Sequence, residues 1–279
     1  LEEIVQICSE YGVKTYLTLN IVLYDSDLED MRRTLEAAKA AGITAVIASD
    51  MAAIAYARQI GVEVHISTQL SISNAEALRF YAQFADVIVL ARELNLTQVK
   101  EIKAIIDRDQ ICGPSGRLVE IEMFAHGALC MAISGKCYLS LHEYGASANR
   151  GSCFQLCRRG YKVEDLETGM QLEIDNKYIM SPKDLCTLPF LDKVLDAGVK
   201  ILKIEGRGRS PEYTKVTVSV YSEAVEAIKN GEFTEEKVEA WTERLRSVYN
   251  RDFWDGYYLG RKTGEWTQRY GSQATKTKV

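Results

Sequence analysis

Residues 43–91 read ITAVIASDMAAIAYARQIGVEVHISTQLSISNAEALRFYAQFADVIVLA. Three short apolar runs, ITAVIAS (43–49), VEVHIST (62–68) and ADVIVLA (85–91), alternate with two longer segments, MAAIAYARQIG (51–61) and SNAEALRFYAQF (73–84), whose apolar residues recur at helical spacing. Strands that are apolar nearly throughout, joined through helices by short turns, require a parallel sheet covered by those helices. Gly61 falls where the first of these helices should close, and Ser73 is the expected cap of the second.

The alternation extends outward in both directions. Upstream lie the strand KTYLTLN (14–20) and the helix SDLEDMRRTLEAAKAAG (26–42), with Leu28, Met31, Leu35 and Ala38 on one face and Gly42 at its end. An amphipathic helix, LEEIVQICSEYG, occupies 1–12. Downstream come the helix LTQVKEIKAIIDR (96–108), the strand RLVEIEMFAHG (117–127), the strand VKILKIEG (199–206) and a long helix from Pro211 to about Asn230. Six strands are visible, and a further two ahead of Leu1 would give eight. The expected fold is therefore an α/β (β/α)8 TIM-type barrel lacking its first two strands, with a long Cys-rich insertion before the last strand. An open doubly wound sheet competes, but no GxGxxG follows any strand and there is no Walker loop. The expected organisation is a first barrel part at 1–126, a Cys-rich insertion with its connecting segment and helix at 127–198, and the last strand with C-terminal helices at 199–260. Residues 261–279 read as a linker toward a small C-terminal domain.

Composition narrows the function. The 279 residues carry 34 Lys+Arg against 39 Asp+Glu, a net charge of −5, which argues against a general nucleic-acid coat. No apolar run approaches the ~18 residues needed to cross a bilayer and no charged-then-apolar leader is present, so a cytoplasmic protein without a membrane partner is expected. In a barrel, chemistry sits where strands end. Those positions hold Asn20, Asp50, Thr68, Gln69, Arg92, Glu93, His126, Glu205 and Arg207, each of which also suits a helix cap or turn.

The alternation fails between Gly127 and Gly198, and five of the seven cysteines lie there. Cys130, Cys137, Cys153 and Cys157 follow the spacing Cys-x6-Cys-x15-Cys-x3-Cys, with Cys186 further on. Reducing conditions disfavour disulfides, and so tight a grouping disfavours chance burial. A soft-metal site remains: zinc favours two short knuckles and finds one, while an iron–sulfur cluster tolerates looser spacing. Gly127, Ala128, Ser134, Gly135, Gly151 and Ser152 allow close backbone approach, and Arg150, Arg158 and Arg159 could offset thiolate charge.

The segment EMFAHGALCMAISGKCYLS (122–140) resembles the signature of peptidase family U32, the collagenase-like proteases: Glu-x-Phe-x-x-Gly-Ala/Ser-aliphatic-Cys, then Gly-x-Cys-x-aliphatic-Ser. The matching residues are Glu122, Phe124, Gly127, Ala128, Leu129, Cys130, Gly135, Cys137, Leu139 and Ser140, and VHISTQLSISN, NRGSCFQLCR, SPKDLC and KIEGRGRSPEY extend the likeness over nearly the whole chain. Within the family the sequence looks most similar to the prephenate-dependent proteins that make 5-hydroxyuridine at the tRNA wobble position. That resemblance implies a 4Fe–4S cluster held by Cys130, Cys137, Cys153 and Cys157, with Cys186 in reserve on the buried face of a helix starting near Ser181 and Asp184. It further implies prephenate as co-substrate and tRNA as partner; a paralogous protein partner is left open.

Under this reading Glu122, His126, His65 and Glu205 are rim groups that position substrate or move protons. Arg207, Arg209, Arg92 and Gln69 bind substrate, with Lys203 near the first two; a guanidinium fork suits carboxylate or phosphate. Arg150, Arg158, Arg159, Tyr161 and Lys162 form a candidate RNA surface. The segment 234–260 reads as one distal helix whose aromatics are mostly core. Two other functions compete. A cysteine peptidase would pair a thiolate with His126 and require that the cluster not exist, and HExxH is absent. A structural metal module would only bind partners.

Overall fold

A computed structural model describes residues 1–170, 178–260, 264–268, 272 and 274, so most of the expected linker at 261–279 lies outside the described residues. In chain order the main elements are α1 (Glu2–Glu10), β1 (Tyr16–Leu19), α2 (Leu28–Ala40), β2 (Ala45–Ala48), α3 (Met51–Gln59), β3 (Glu63–Ile66), α4 (Ala75–Tyr81), β4 (Val87–Val89), α5 (Leu96–Asp109) and β5 (Glu120–Gly127). They continue with α6 (Leu139–Tyr144), β6 (Asp184–Cys186), α7 (Leu191–Asp196), β7 (Val199–Ile204), α8 (Pro211–Lys229), α9 (Glu235–Ser247) and β8 (Phe253–Trp254). The chain divides into two compact units, one of Leu1–Ala91, Lys100–Glu122 and Ile133–Cys153, the other of Arg92–Val99, Met123–Ala132 and Phe154–Val279. Strand β5 contributes residues to both.

In the first unit β1, β2, β3, β4 and Glu120–Glu122 of β5 pair successively in parallel. One set of alternating positions, including Val46, Ala48, Val64, Ile66, Ile88 and Ile121, is buried and apolar. Helix α2 buries Met31, Leu35 and Ala38 at the anticipated spacing, while Leu28 is half-buried. Gly42 and Gly61 take positive φ just past their helices, where a side chain would be strained. Asn74 rather than Ser73 caps α4, accepting from the Ala77 N–H at 2.8 Å.

In the second unit the end of β5 pairs with β6, which runs antiparallel to it, and with β7; β6 pairs in parallel with β8. The core here includes Leu188, Leu191, Val194, Val220, Ala224 and Leu245. Residues 184–186 are thus a strand and not the start of a helix: Asp184 accepts the Arg251 N–H at 3.0 Å and lies 3.3 Å from its guanidinium, and this buried pair fixes Asp184 against the chain before β8. The distal segment is also not one helix. It ends at Ser247, where the Asn250 carboxamide donates to the carbonyls of Arg246 and Val248, and Asp252 at φ +62 turns the chain into β8.

The fold is α/β with a mostly parallel sheet. A closed barrel is not formed: among the described residues β1 pairs with β2 alone and leaves its other edge open. No described helix is long and apolar enough to cross a membrane.

Gly127 closes β5 at φ +108, and a Cβ there would sit 2.5 Å from the Glu205 carbonyl oxygen. Gly116, at φ +78, faces open space. Gly127→Ala should therefore cost about 3 kcal/mol or more, from strain plus a backbone clash, and Gly116→Ala about 1 kcal/mol, as read by urea denaturation.

Candidate functional site

The end of β5 holds His126 in the second unit. It is 1% exposed and lies among the rings of Phe253, Tyr221 and Tyr213 at centroid distances of 5.4, 5.6 and 6.1 Å. Burial lowers its pKa to about 3, so the imidazole is neutral at physiological pH. The Tyr221 hydroxyl lies 3.4 Å from His126 Nδ1, donates to the Ala125 carbonyl at 2.8 Å and accepts from the Thr187 N–H at 3.2 Å. The Cys186 thiol lies 3.8 Å from the same hydroxyl. Burial drives Cys186 up to about 11, keeping it a protonated thiol. Tyr221 carries no local sequence signal; it is one of several apolar-face residues of α8 and acquires its role only through packing.

None of the seven cysteines, all of them described, is paired in a disulfide. Cys130 and Cys153 are exposed and Cys137 and Cys157 half-buried, in contrast to the enclosed Cys186. Cys130 and Cys157 belong to the second unit, Cys137 and Cys153 to the first. Arg158 is electrostatically coupled to both Cys130 and Cys157. Its guanidinium donates to the carbonyls of Pro182 at 2.6 Å and Leu129 at 2.7 Å, and to the Ser181 hydroxyl at 3.1 Å. Desolvation chiefly, and then Arg251, lower its pKa, while the two thiols raise it. Within the second unit, two thiols, Cys130 and Cys157, thus act electrostatically on one guanidinium, and a thiolate is the donor that a soft metal or cluster takes. Among the described residues, however, no group of three or more His, Cys, Asp or Glu side chains is arranged to hold a metal ion.

The second unit also places the anticipated cations. Arg92 stacks on the Phe124 ring at 4.1 Å and reaches the Ala128 carbonyl at 3.4 Å, while Lys203 lies 5.7 Å from the same ring. Arg92 Nε is buried without a hydrogen-bond partner. Glu205 accepts the Arg207 N–H at 2.9 Å, and Arg209 stacks on Tyr249 at 4.0 Å. Arg207 is exposed.

In the first unit the register puts His65 beside Val87 and Val87 beside Glu120, so Tyr16, Glu63, His65, Glu120 and Glu122 share one face of the sheet. His65 Nε2 is 3.2 Å from Glu63 Oε1, its Nδ1 is buried without a partner, and the Tyr16 ring lies 4.8 Å away. Burial, then Glu63, Glu122 and Glu120, raise the Tyr16 pKa. Tyr16 was not anticipated from sequence, since it reads as an ordinary strand aromatic. Asp50 is a helix cap, accepting from the Ala52 N–H at 2.9 Å, and the Thr68 hydroxyl bonds the Leu90 carbonyl. Gln69 lines a cavity of about 440 Å³ together with Cys137.

Of the basic residues expected to form an RNA surface, Arg159 and Lys162 are exposed, while Arg150 and Arg158 are engaged with other parts of their own units. Arg150 pairs with Asp27 at 2.7 Å and covers the Tyr24 ring at 3.8 Å. In the other unit Arg158 is bound as above, Lys162 pairs with Glu164 at 2.9 Å and the Tyr161 hydroxyl donates to the Leu156 carbonyl.

Residues 1–268 match the model of peptidase family U32. A protein named collagenase from Porphyromonas gingivalis is 61% identical over 279 residues, covering 100% of this chain and 67% of that protein. A tRNA hydroxylation protein P1 from Bacillus subtilis is 34% identical over 287 residues, covering 99% of this chain and 65% of its own. A 23S rRNA 5-hydroxycytidine synthase from Escherichia coli is 37% identical over 229 residues, covering 82% and 33% respectively. The collagenase-named protein is thus more similar than the tRNA hydroxylation protein, the reverse of the order expected from sequence motifs. No solved structure matches the chain.

The buried imidazole has a pH consequence. His126 is held near 3 in the fold against 6.5 when free, so the unfolded chain takes up the proton first as pH falls. Its contribution is intact above pH ~6.5 and is lost progressively toward pH ~3. Urea melts should show about 1 kcal/mol less stability at pH 5.5 than at 6.5 from this group, a slope that His126→Phe removes.

Proposed function

The chain belongs to peptidase family U32, and we propose that it is a cytoplasmic RNA-modifying enzyme that hydroxylates tRNA wobble uridine to 5-hydroxyuridine without oxygen, using prephenate. Cys130, Cys137, Cys153 and Cys157 are the thiolates we assign to a 4Fe–4S cluster, which when bound supplies the redox chemistry that no other group of the chain offers. The observation that carries this reading is the contrast between two kinds of cysteine. Cys186, beside His126, is a protonated thiol next to an imidazole that does not accept a proton at neutral pH, whereas Cys130 and Cys153 are exposed and Cys137 and Cys157 half-buried. The environment of His126 therefore does not favour a thiolate–imidazolium nucleophile.

The roles of the remaining residues follow from their chemistry. His126, neutral, positions the end of β5 through hydrogen bonding to Tyr221 and carries no charge. Glu122 and His65 are placed in the proposal as proton-handling groups on the sheet face, with Tyr16 against His65. Glu205 holds the turn that presents Arg207, and Arg207, Arg209 and Arg92 supply guanidinium groups for phosphate or carboxylate. Gln69 serves the substrate cavity.

The second reading is proteolysis. It is favoured by the name of the 61% identical collagenase relative, and it needs a nucleophile other than the Cys186–His126 neighbourhood.

Mass spectrometry of tRNA nucleosides, in a strain deleted for this gene and its paralogues, separates the two. Wild type should restore 5-hydroxyuridine and Cys130→Ala should reduce it by at least about a hundredfold, as for loss of an essential group. Unchanged nucleosides on complementation, together with collagen-peptide cleavage by purified protein, would replace the RNA reading with the peptidase one.

A further inference from the structure

The first unit contains a cavity of about 440 Å³, walled in part by Ser49, Gln69, Ser134, Lys136, Tyr138 and Asn149, with Cys137 on its lining. We propose that this cavity seats a single flipped pyrimidine nucleotide of an RNA strand; the proposal rests on the RNA-hydroxylase reading and locates its substrate.

Three features carry it. The size falls in the range of about 300–1,000 Å³ typical of small-molecule sites, enough for one nucleotide and far too small for a duplex. Its lining mixes apolar and polar surface with little charge: Val22 and Leu70 stand beside the polar groups and, among the described residues that line it, Lys136 alone is charged, so the site suits a base with one phosphate. The Gln69 carboxamide offers a donor and an acceptor, the complement of the alternating carbonyl and N–H edge of uracil, and Asn149, whose Oδ1 takes the Ser147 hydroxyl, adds a carboxamide N–H donor. Tyr138, 77% exposed, offers a ring on which a splayed base can stack, and the exposed Lys136 ammonium offers a counter-charge to phosphate.

The walls are preorganised. Gly135, at φ +73, lets the chain pass so close to Gln69 that a Cβ would stand 3.1 Å from Oε1 and 3.2 Å from Cδ. Behind Val22 and Asn149, which also line the cavity, Arg150 donates to the Val22 carbonyl at 3.0 Å and to Asp27 at 2.7 Å, while the Val22 N–H donates to the Asn149 carbonyl at 2.9 Å. These bonds tie the segment 147–150 to the loop after β1. Cys137, one of the proposed cluster ligands, then stands on the wall of the substrate's own site.

Calorimetric titration of the protein with UMP and with uridine tests this. Saturable UMP binding is expected, weakened about tenfold by Tyr138→Ala, as for loss of one base–aromatic stack, and about tenfold by Gln69→Leu. Lys136→Met should weaken UMP and leave uridine unchanged, a signature that general destabilisation does not produce. No saturable binding up to about 10 mM UMP, the limit of a meaningful site, overturns the proposal. So does binding that is indifferent to Tyr138→Ala, whose exposed position makes loss of folding no explanation. UMP binding without tRNA hydroxylation would sink the functional reading and leave the cavity assignment; hydroxylation without UMP binding would do the reverse.

Discussion

The structure depends on satisfying the backbone of β5. This strand is buried almost throughout, and an unpaired N–H or C=O there would cost more than most side-chain contacts return. Its first residues take ladder bonds from β4, as in Leu90 N–H to the Glu122 carbonyl at 3.1 Å. Its last residues are met by other partners: Thr187 N–H on the Ala125 carbonyl at 3.0 Å, Glu205 N–H on the His126 carbonyl at 2.9 Å, and Tyr258 hydroxyl on the Phe124 carbonyl at 2.7 Å. With those bonds in place His126 is enclosed and neutral. Gly127 must then be a glycine, and the chain leaves the strand immediately ahead of Cys130.

Much of this was legible in the sequence where local pattern and tertiary environment agree. The strands β1 to β5 and β7 fall inside the apolar runs, and the spacing of Met31, Leu35 and Ala38 anticipates the buried face of α2. Misreadings arose where a distant contact decides. Ser181 and Asp184 look like helix-start residues, but Asp184 is held by Arg251 and pairing with β5 draws residues 184–186 into a strand. The end of α9 is set by Asn250 capping carbonyls within its own turn, a role that an aromatic-rich periodic segment conceals. The barrel rested on six parallel-type strands, two more supposed ahead of Leu1 and the lack of a GxGxxG or Walker loop, and none of these carries information on which edges pair.

The candidate site divides along the same line. Residue type and order made Cys130, Cys137, Cys153, Cys157, His126 and Gln69 conspicuous, but not their environments. Tyr221 and Tyr16 came to the site only through packing, and in the basic run from Arg150 to Lys162 the first two arginines, Arg150 and Arg158, are tied to other segments while Arg159 and Lys162 are exposed. A local charge pattern does not reveal whether an arginine faces solvent or, like Arg158, reads three backbone and side-chain oxygens.

The thiols differ in environment: Cys186 is enclosed and protonated in the packing around His126, Cys130 and Cys153 are exposed, and Cys137 and Cys157 are half-buried. The most direct test is iron and acid-labile sulfide content of protein purified without oxygen. About four of each per chain are expected, with a brown absorbance that is lost when Cys130, Cys137, Cys153 or Cys157 is replaced by alanine and retained in a surface Cys112→Ala control. Colourless protein free of iron and sulfide, from cells competent in cluster assembly, would contradict the account.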